Sequence, residues 1–154
     1  MRHALPNVGN DMETNDDRIA LGALRFLGEL YDITADFSRR LREEFGMDGK
    51  TRKGPTSRIE CRSYRTGVVI HTWVEAMLQG QNSLTCELDI RQHAKGWLVD
   101  ARICSVEDSG TNTRLQLVDE IVPTFADVAR DAPTILTRLY DAGIELLKAE
   151  LYLG

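Results

Sequence analysis

Apolar and polar residues alternate along the middle of the chain. The clearest example is the segment 83–91, in which every second residue is apolar: Leu84, Cys86, Leu88 and Ile90. A period of two is typical of a β-strand with one buried face. Comparable patterns predict five strands, over residues 58–63, 68–78, 83–92, 97–106 and 111–118. The connections between them are short and rich in turn-forming residues, so we expect an antiparallel meander.

A helical pattern precedes the strands. Between Asp17 and Phe45, apolar residues recur at every third or fourth position, which predicts one long amphipathic helix. Either Asp16 or Asp17 is a suitable N-cap, and Gly46 follows the last helical turn. The preceding residues, 1–16, are polar and aperiodic, and they predict a mobile tail.

The chain also ends in helical patterns. We expect a short turn or helix over 124–130 and then a longer helix, capped by Asp131, with Pro133 in its first turn. A sheet with one apolar face must bury that face, and the helices are the available cover. The predicted fold class is therefore α+β: a long N-terminal helix, a five-stranded antiparallel meander sheet and a C-terminal helix packed on one sheet face, in a single domain over 17–154.

The composition is that of a protein with an ordinary hydrophobic core. Hydrophobic residues occupy 42% of the 154 positions, and no apolar run reaches the roughly 18 residues that a transmembrane helix needs. The N-terminus has no signal-peptide pattern and the three cysteines form no CxxC pair, so we expect a cytoplasmic location. The net charge of −5 argues against binding to nucleic acid and permits a basic protein partner.

The alternation also predicts which side chains share a face of the sheet. The apolar set forms the core face: Ile59, Cys61, Ile70, Thr72, Val74, Ala76, Leu78, Leu84, Cys86, Leu88, Ile90, Trp97, Val99, Ala101, Ile103, Thr113, Leu115 and Leu117. The opposite face is charged in the middle and apolar around it. Its main residues, which define what we call the mixed face, are Trp73, Met77, Leu98, Glu75, Glu87, Asp89, Asp100, Arg91 and Arg102.

Loop lengths predict which of these residues are neighbours. We expect Glu75 beside Glu87, Glu87 beside Arg102, Trp73 beside Asp89 with Asp100 beyond it, and His71 between Glu60 and Arg91. This arrangement gathers carboxylates, arginines and a histidine at the centre of the mixed face.

Three interpretations of the mixed face follow from its composition. It can be a solvated sheet surface on which charges pair across strands. It can be a contact surface for another protein or for a second copy of the chain. Trp73 and Met77, with Leu98, favour this because tryptophan and methionine are enriched at interfaces. It can also be a cation or acid/base site made of the carboxylates, although Arg91 and Arg102 neutralise part of their charge.

No catalytic motif accompanies this face. The sequence has no GxxxxGK[ST] loop, no GxGxxG, no HExxH and no GxSxG. Cys61, Cys86 and Cys104 lack paired zinc-ligand spacing; we expect Cys61 and Cys86 in the core and Cys104 on the mixed face. His71 beside Glu60 is an arrangement more common in surface ion pairs than in general-base sites. The sequence therefore favours a protein without enzyme activity, cofactor or bound metal.

The leading hypothesis is a non-enzymatic protein-binding domain of the adaptor, chaperone or immunity/inhibitor type. Its contact surface is the mixed face, and its partner is another protein or a second copy. The helix–meander–helix order resembles that of small secretion chaperones, and the small acidic domain resembles bacterial immunity proteins. The alternative is a small-ligand-binding protein or enzyme with a pocket between sheet and helices, lined by polar groups such as Thr72 or Tyr140.

Overall fold

The structure, a computed structural model, describes residues 14–50 and 53–153. Its elements in chain order are helix α1 (Asn15–Phe45), strands β1 (Thr56–Tyr64), β2 (Gly67–Met77), β3 (Ser83–His93), β4 (Gly96–Glu107) and β5 (Gly110–Val122), and helix α2 (Phe125–Leu153). Neighbouring strands pair antiparallel in the order β1-β2-β3-β4-β5. The predicted α+β class, with a meander between two helices, is confirmed.

Both helices pack on the same face of the sheet and enclose one hydrophobic core. Helix α1 contacts β1 and β2, whereas α2 contacts β3, β4 and β5, and the two helices also contact each other. Leu84, Leu88 and Ile90 are at most 1% exposed and belong to the same core as Leu30 of α1 and Leu139 of α2. The apolar residues of β3 therefore lie beneath the helices, as the alternation predicts.

Helix α1 is capped by Thr14 and not by an aspartate. Thr14 Oγ1 accepts the backbone N–H of Asp17 at 3.0 Å, and the Thr14 N–H donates to the Asp17 carboxylate at 3.4 Å. This reciprocal capping box places Asp16 and Asp17 inside the first turn, so the predicted cap is wrong. At the other end, Gly46 takes the left-handed conformation, with φ of 67°, that terminates helices. Residues 1–13 of the predicted tail lie outside the described residues.

Helix α2 is continuous, which corrects the prediction of two segments separated at Asp131. Thr124 supplies the cap, because its Oγ1 accepts the backbone N–H of Asp127 at 3.2 Å. Pro133 lies in the helix interior, where it cannot donate a backbone hydrogen bond. Its neighbours on the core side, Ala132 and Leu136, are at most 1% exposed, and their burial holds the helix together through this position.

Two β-bulges interrupt the pairing of β4 with β5. The register shifts between Ala101 and Arg102 and again between Ile103 and Cys104, so β5 has one extra residue at each place. Each extra residue reverses the alternation of side chains. Thr113 is consequently opposite Cys104 on the mixed face, and its predicted place on the core face is wrong.

Strand β1 forms an edge of the sheet and is less covered than predicted. Seven of its nine residues are exposed, and Cys61 is among them. The prediction that Cys61 is a core residue is therefore wrong, whereas Ile59 is half-buried. The reason is positional: β1 has a neighbouring strand on one side only, and α1 makes few contacts with it.

Candidate interaction surface on the mixed face

All nine residues predicted for the mixed face lie on the sheet face that is turned away from the helices: Trp73, Met77, Leu98, Glu75, Glu87, Asp89, Asp100, Arg91 and Arg102. Within 14–50 and 53–153, no helix packs on this face, because α1 and α2 both cover the core face. Seven of the nine are nevertheless half-buried, Asp89 is buried and Arg91 is exposed. The side chains of this face therefore cover one another.

The register between β2 and β3 differs from the predicted one by two residues. Met77 pairs with Ser83, and the connection is closed by a bond from the Leu78 N–H to the Asn82 carbonyl at 2.8 Å. Strand β2 therefore ends at Met77, and Leu78, which the alternation assigns to this strand, belongs to the loop. A shift of two residues keeps every side chain on its predicted face, because the side-chain period is also two.

The shift does change the neighbours on the mixed face. Three pairs differ from the prediction: Trp73 is opposite Glu87, His71 is opposite Asp89, and Glu75 is opposite Thr85. Three predicted pairs are confirmed: Glu60–His71, Glu87–Arg102 and Asp89–Asp100. The main consequence is that His71, and not Trp73, lies opposite Asp89.

One row of titratable residues crosses all five strands. From β1 to β5 the pairing aligns Glu60, His71, Asp89, Asp100 and Asp119. Arginines balance three of the carboxylates: Arg62 Nε is 3.2 Å from Glu60, Arg91 Nη2 is 3.8 Å from Asp89, and Arg102 Nη1 is 3.9 Å from Asp100. The described residues contain no group of three or more acidic, histidine or cysteine side chains suited to a metal ion.

His71 and Asp89 form the most buried ion pair among the described residues. His71 Nδ1 is hydrogen-bonded to Asp89 Oδ1, and the two side chains are 27% and 11% exposed. This bond raises the pKa of His71, while burial opposes the change. Burial acts to raise the pKa of Asp89, but the bond from His71 and the charge of Arg91 outweigh it, and that pKa is lowered. Both shifts favour the ionised pair.

This pair lies in a small depression of the mixed face. The depression over His71 and Asp89 has a volume of about 170 Å³ and is walled largely by Glu60, Arg62 and Tyr64. Ligand pockets typically have about 300–1,000 Å³. A hydrogen-bonded His–Asp pair can orient an imidazole as a general base. Here the pair is surrounded by the charged side chains Glu60, Arg62 and Arg91.

A second charged group lies beside the first. Arg102 Nε donates to Glu87 at 3.1 Å, and Gln116 Nε2 donates to Asp100 at 2.7 Å. Gln116 lies opposite Arg102 on the mixed face. These hydrogen bonds hold the Glu87 and Asp100 carboxylates in defined positions on the mixed face.

Apolar side chains flank the charged centre. Trp73 lies beneath the guanidinium of Arg58, whose carbon is 5.9 Å from the ring centroid. Leu98 pairs with Ile121, which is 44% exposed. Arg58 and Ile121 were not among the predicted contact residues. Ile121 lies beyond the predicted end of the fifth strand, and the cation–π contact of Arg58 depends on the cross-strand register.

The two polar residues predicted to line a pocket between sheet and helices are buried in the core. Thr72 is 0% exposed and Tyr140 is 3% exposed. Tyr140 stacks on Phe37 with ring centroids 4.2 Å apart, and its hydroxyl lies 2.8 Å from Thr34 Oγ1. Burial raises the pKa of Tyr140. Cys104 lies on the mixed face, as predicted, opposite Thr85, and is buried there at 4% exposure.

Open grooves occur instead along the sides of α1. One, of about 310 Å³, separates α1 from β1, and another, of about 270 Å³, separates α1 from α2. Both grooves lie at the rim of the core and are lined in part by residues of α1.

Comparison of the chain with family models, with curated proteins and with solved structures gives no match in any of the three. Neither α1 nor α2, as far as they are described, contains an apolar stretch that would cross a membrane.

Proposed function

We propose that this chain is a non-enzymatic protein-binding domain and that its partner docks on the mixed face. The observation that supports this most directly is the position of Trp73, Met77 and Leu98. All three are half-buried on a sheet face that neither α1 nor α2 covers. Tryptophan and methionine are enriched at protein interfaces, which combine apolar contact residues with polar ones.

The charges of the mixed face indicate what kind of partner fits it. Glu87, Asp89 and Asp100 already have arginine or histidine partners on the same face. A partner therefore does not have to supply a full set of opposite charges and can bury the apolar residues without leaving an ion uncompensated. The net charge of −5 favours association with a basic protein, because opposite net charges raise the association rate.

The test begins with capture of interacting proteins from native lysate on the immobilised wild-type chain, followed by calorimetry with each purified candidate. Trp73→Ala and Leu98→Ala are the test variants. Ile19→Ala is the matched control, because Ile19 is 64% exposed but lies on α1. We expect Trp73→Ala to weaken binding about tenfold or more, as central aromatic contacts do.

The control variant is expected to bind as the wild type does. Equal affinity of the wild type and both test variants, with circular dichroism confirming that each is folded, would rule out the mixed face as the contact surface. A loss of affinity in Ile19→Ala alone would place the contact on α1.

A further inference from the structure

Strand β1 is the more regular of the two sheet edges. Its residues from Thr56 to Tyr64 pair with β2 without a bulge, and seven of the nine are exposed. An unbroken edge strand presents backbone N–H and C=O groups that can pair with another strand. The opposite edge, β5, has two bulges in its pairing. A further strand is therefore accommodated best at β1.

Exposed apolar residues of α1 lie beside the same edge. Leu24 and Tyr31 are 64% and 63% exposed, and their spacing of seven residues places them on one side of the helix. Tyr31 and Ala35 line the groove of about 310 Å³ whose other wall is β1 around Ile59. Ser38 also lines this groove, and its hydroxyl is buried without a hydrogen-bond partner among the described residues. The groove is therefore lined by exposed apolar side chains of α1 and by a buried hydroxyl that has no hydrogen-bond partner among the described residues.

The charges of β1 are complementary to those of a second β1 strand. Arg58, Glu60 and Arg62 alternate on the mixed-face side of the strand. If two copies pair antiparallel with Ile59 at the two-fold axis, Arg58 of each copy faces Glu60 of the other, twice. If the axis passes through Glu60 instead, Glu60 faces Glu60 and Arg58 faces Arg62. Like charges opposite each other destabilise a sheet, so the second register is disfavoured. An axis at Cys61 also places Glu60 opposite Arg62, but the groove beside α1 is lined by Ile59, and an axis at Ile59 brings the two grooves together.

We infer that this chain forms a two-fold dimer in which the β1 strands of two copies pair antiparallel with Ile59 at the axis. This axis is normal to the sheet, so both α1 helices lie on the same side of it. The grooves beside Ile59 then face each other, and the exposed strip of Leu24, Tyr31 and Ala35 is covered by the other copy. The mixed face is left open, so this dimer is independent of the proposed function.

Charge exchange tests both the dimer and its register. Sedimentation velocity on the wild type, at concentrations up to about 100 μM, which exceed a micromolar Kd, is expected to give twice the protomer mass of 17.3 kDa. Glu60→Arg is expected to be monomeric. Arg58→Glu with Glu60→Arg restores the dimer, whereas Arg62→Glu with Glu60→Arg, the matched control, does not.

A monomeric wild type would overturn the inference, and so would a dimer that persists in Glu60→Arg. Rescue by the Arg62→Glu control and not by Arg58→Glu would show that the axis lies at Cys61 and not at Ile59. Circular dichroism is measured on each variant to verify that it is folded.

Disulfide trapping gives a second measurement that does not depend on charge. In the inferred register, residue 57 of one copy lies opposite Cys61 of the other. Ser57→Cys is therefore expected to give a covalent dimer under mild oxidation, because Cys61 is exposed and directly opposed residues have the separation that a disulfide needs. Ser63→Cys, on the same side of the strand, is the control and is expected to stay uncrosslinked. Trapping of Ser63→Cys, or equal trapping of both variants, would contradict the register.

Discussion

The His71–Asp89 pair predicts that the stability of the protein depends on pH in a defined direction. The perturbation is a double-mutant cycle of His71→Gln, Asp89→Asn and the two together. The cycle isolates the free energy that the two side chains contribute jointly to folding. The hydrogen bond between His71 Nδ1 and Asp89 Oδ1 is the contact that it measures.

The magnitude follows from the geometry and burial of the pair. A hydrogen bond that involves a charged group contributes about 1.5–3 kcal/mol to stability. The side chains are 27% and 11% exposed, so solvent screens the interaction in part. Arg91, at 3.8 Å from Asp89, still compensates the aspartate when the histidine is removed. We therefore expect a coupling free energy of about 1–2 kcal/mol.

The sign of the pH dependence follows from the two pKa shifts. The pKa of His71 is raised above its ordinary value of 6.5, so its contribution is complete below about pH 6.5 and is lost as the pH rises through the folded-state pKa. The pKa of Asp89 is lowered from 3.8, so its contribution is complete above about pH 4 and is lost as the pH falls through the folded-state pKa. The pair therefore stabilises the fold most between these values.

Urea denaturation of the four proteins at about pH 5.5 and about pH 8.5 measures this effect. We expect the coupling at the lower pH to be the larger by about 1 kcal/mol or more. A coupling that is the same at both values, or that increases at the higher pH, would refute the assignment of His71 and Asp89 as an ion pair.

Three further predictions concern packing, and denaturation measurements check each of them. Leu88→Ala removes a side chain that is 0% exposed and is expected to lower the free energy of unfolding by about 2–5 kcal/mol. Glu87→Ala loses a partly exposed ion pair and is expected to lower it by about 1 kcal/mol or less. Equal losses would mean that the faces are wrongly assigned. Gly96→Ala would place a Cβ 2.3 Å from a backbone carbonyl, and we expect it to be more destabilising than Gly80→Ala, which has a positive φ but open space around it. The reverse order would contradict the close approach at β4. Tyr140→Phe leaves a core threonine without its 2.8 Å partner, so a loss of about 1–2 kcal/mol is expected, and wild-type stability would disprove the bond.

The sequence predicts the faces of the sheet well because burial acts on every second residue. Leu88 and Glu87 are adjacent in the chain, yet one is fully buried and the other is on the mixed face. Hydrophobic alternation carries that distinction residue by residue. The nine residues of the mixed face could therefore be placed together without knowledge of the register.

The register and the bulges lie beyond this pattern, because they depend on contacts between segments. The β2–β3 connection closes through the Leu78 N–H and the Asn82 carbonyl, a backbone bond that side-chain type does not specify. Thr113 changes face because of the bulges in the pairing of β5 with β4. The exposure of Cys61 depends on which strand is at the edge of the sheet. Thr14 caps α1, although Asp16 and Asp17 are equally suitable cap residues by type.

The bulges of β5 also bear on aggregation. They bend the strand and interrupt its ladder near Leu117 and Arg114, so an incoming chain would find no uniform template there. Two chains joined through β1 would expose only these irregular strands at their outer margins. Growth by strand addition would then stop at two molecules, and the protein would lack a route to the open-ended stacking that builds fibrils.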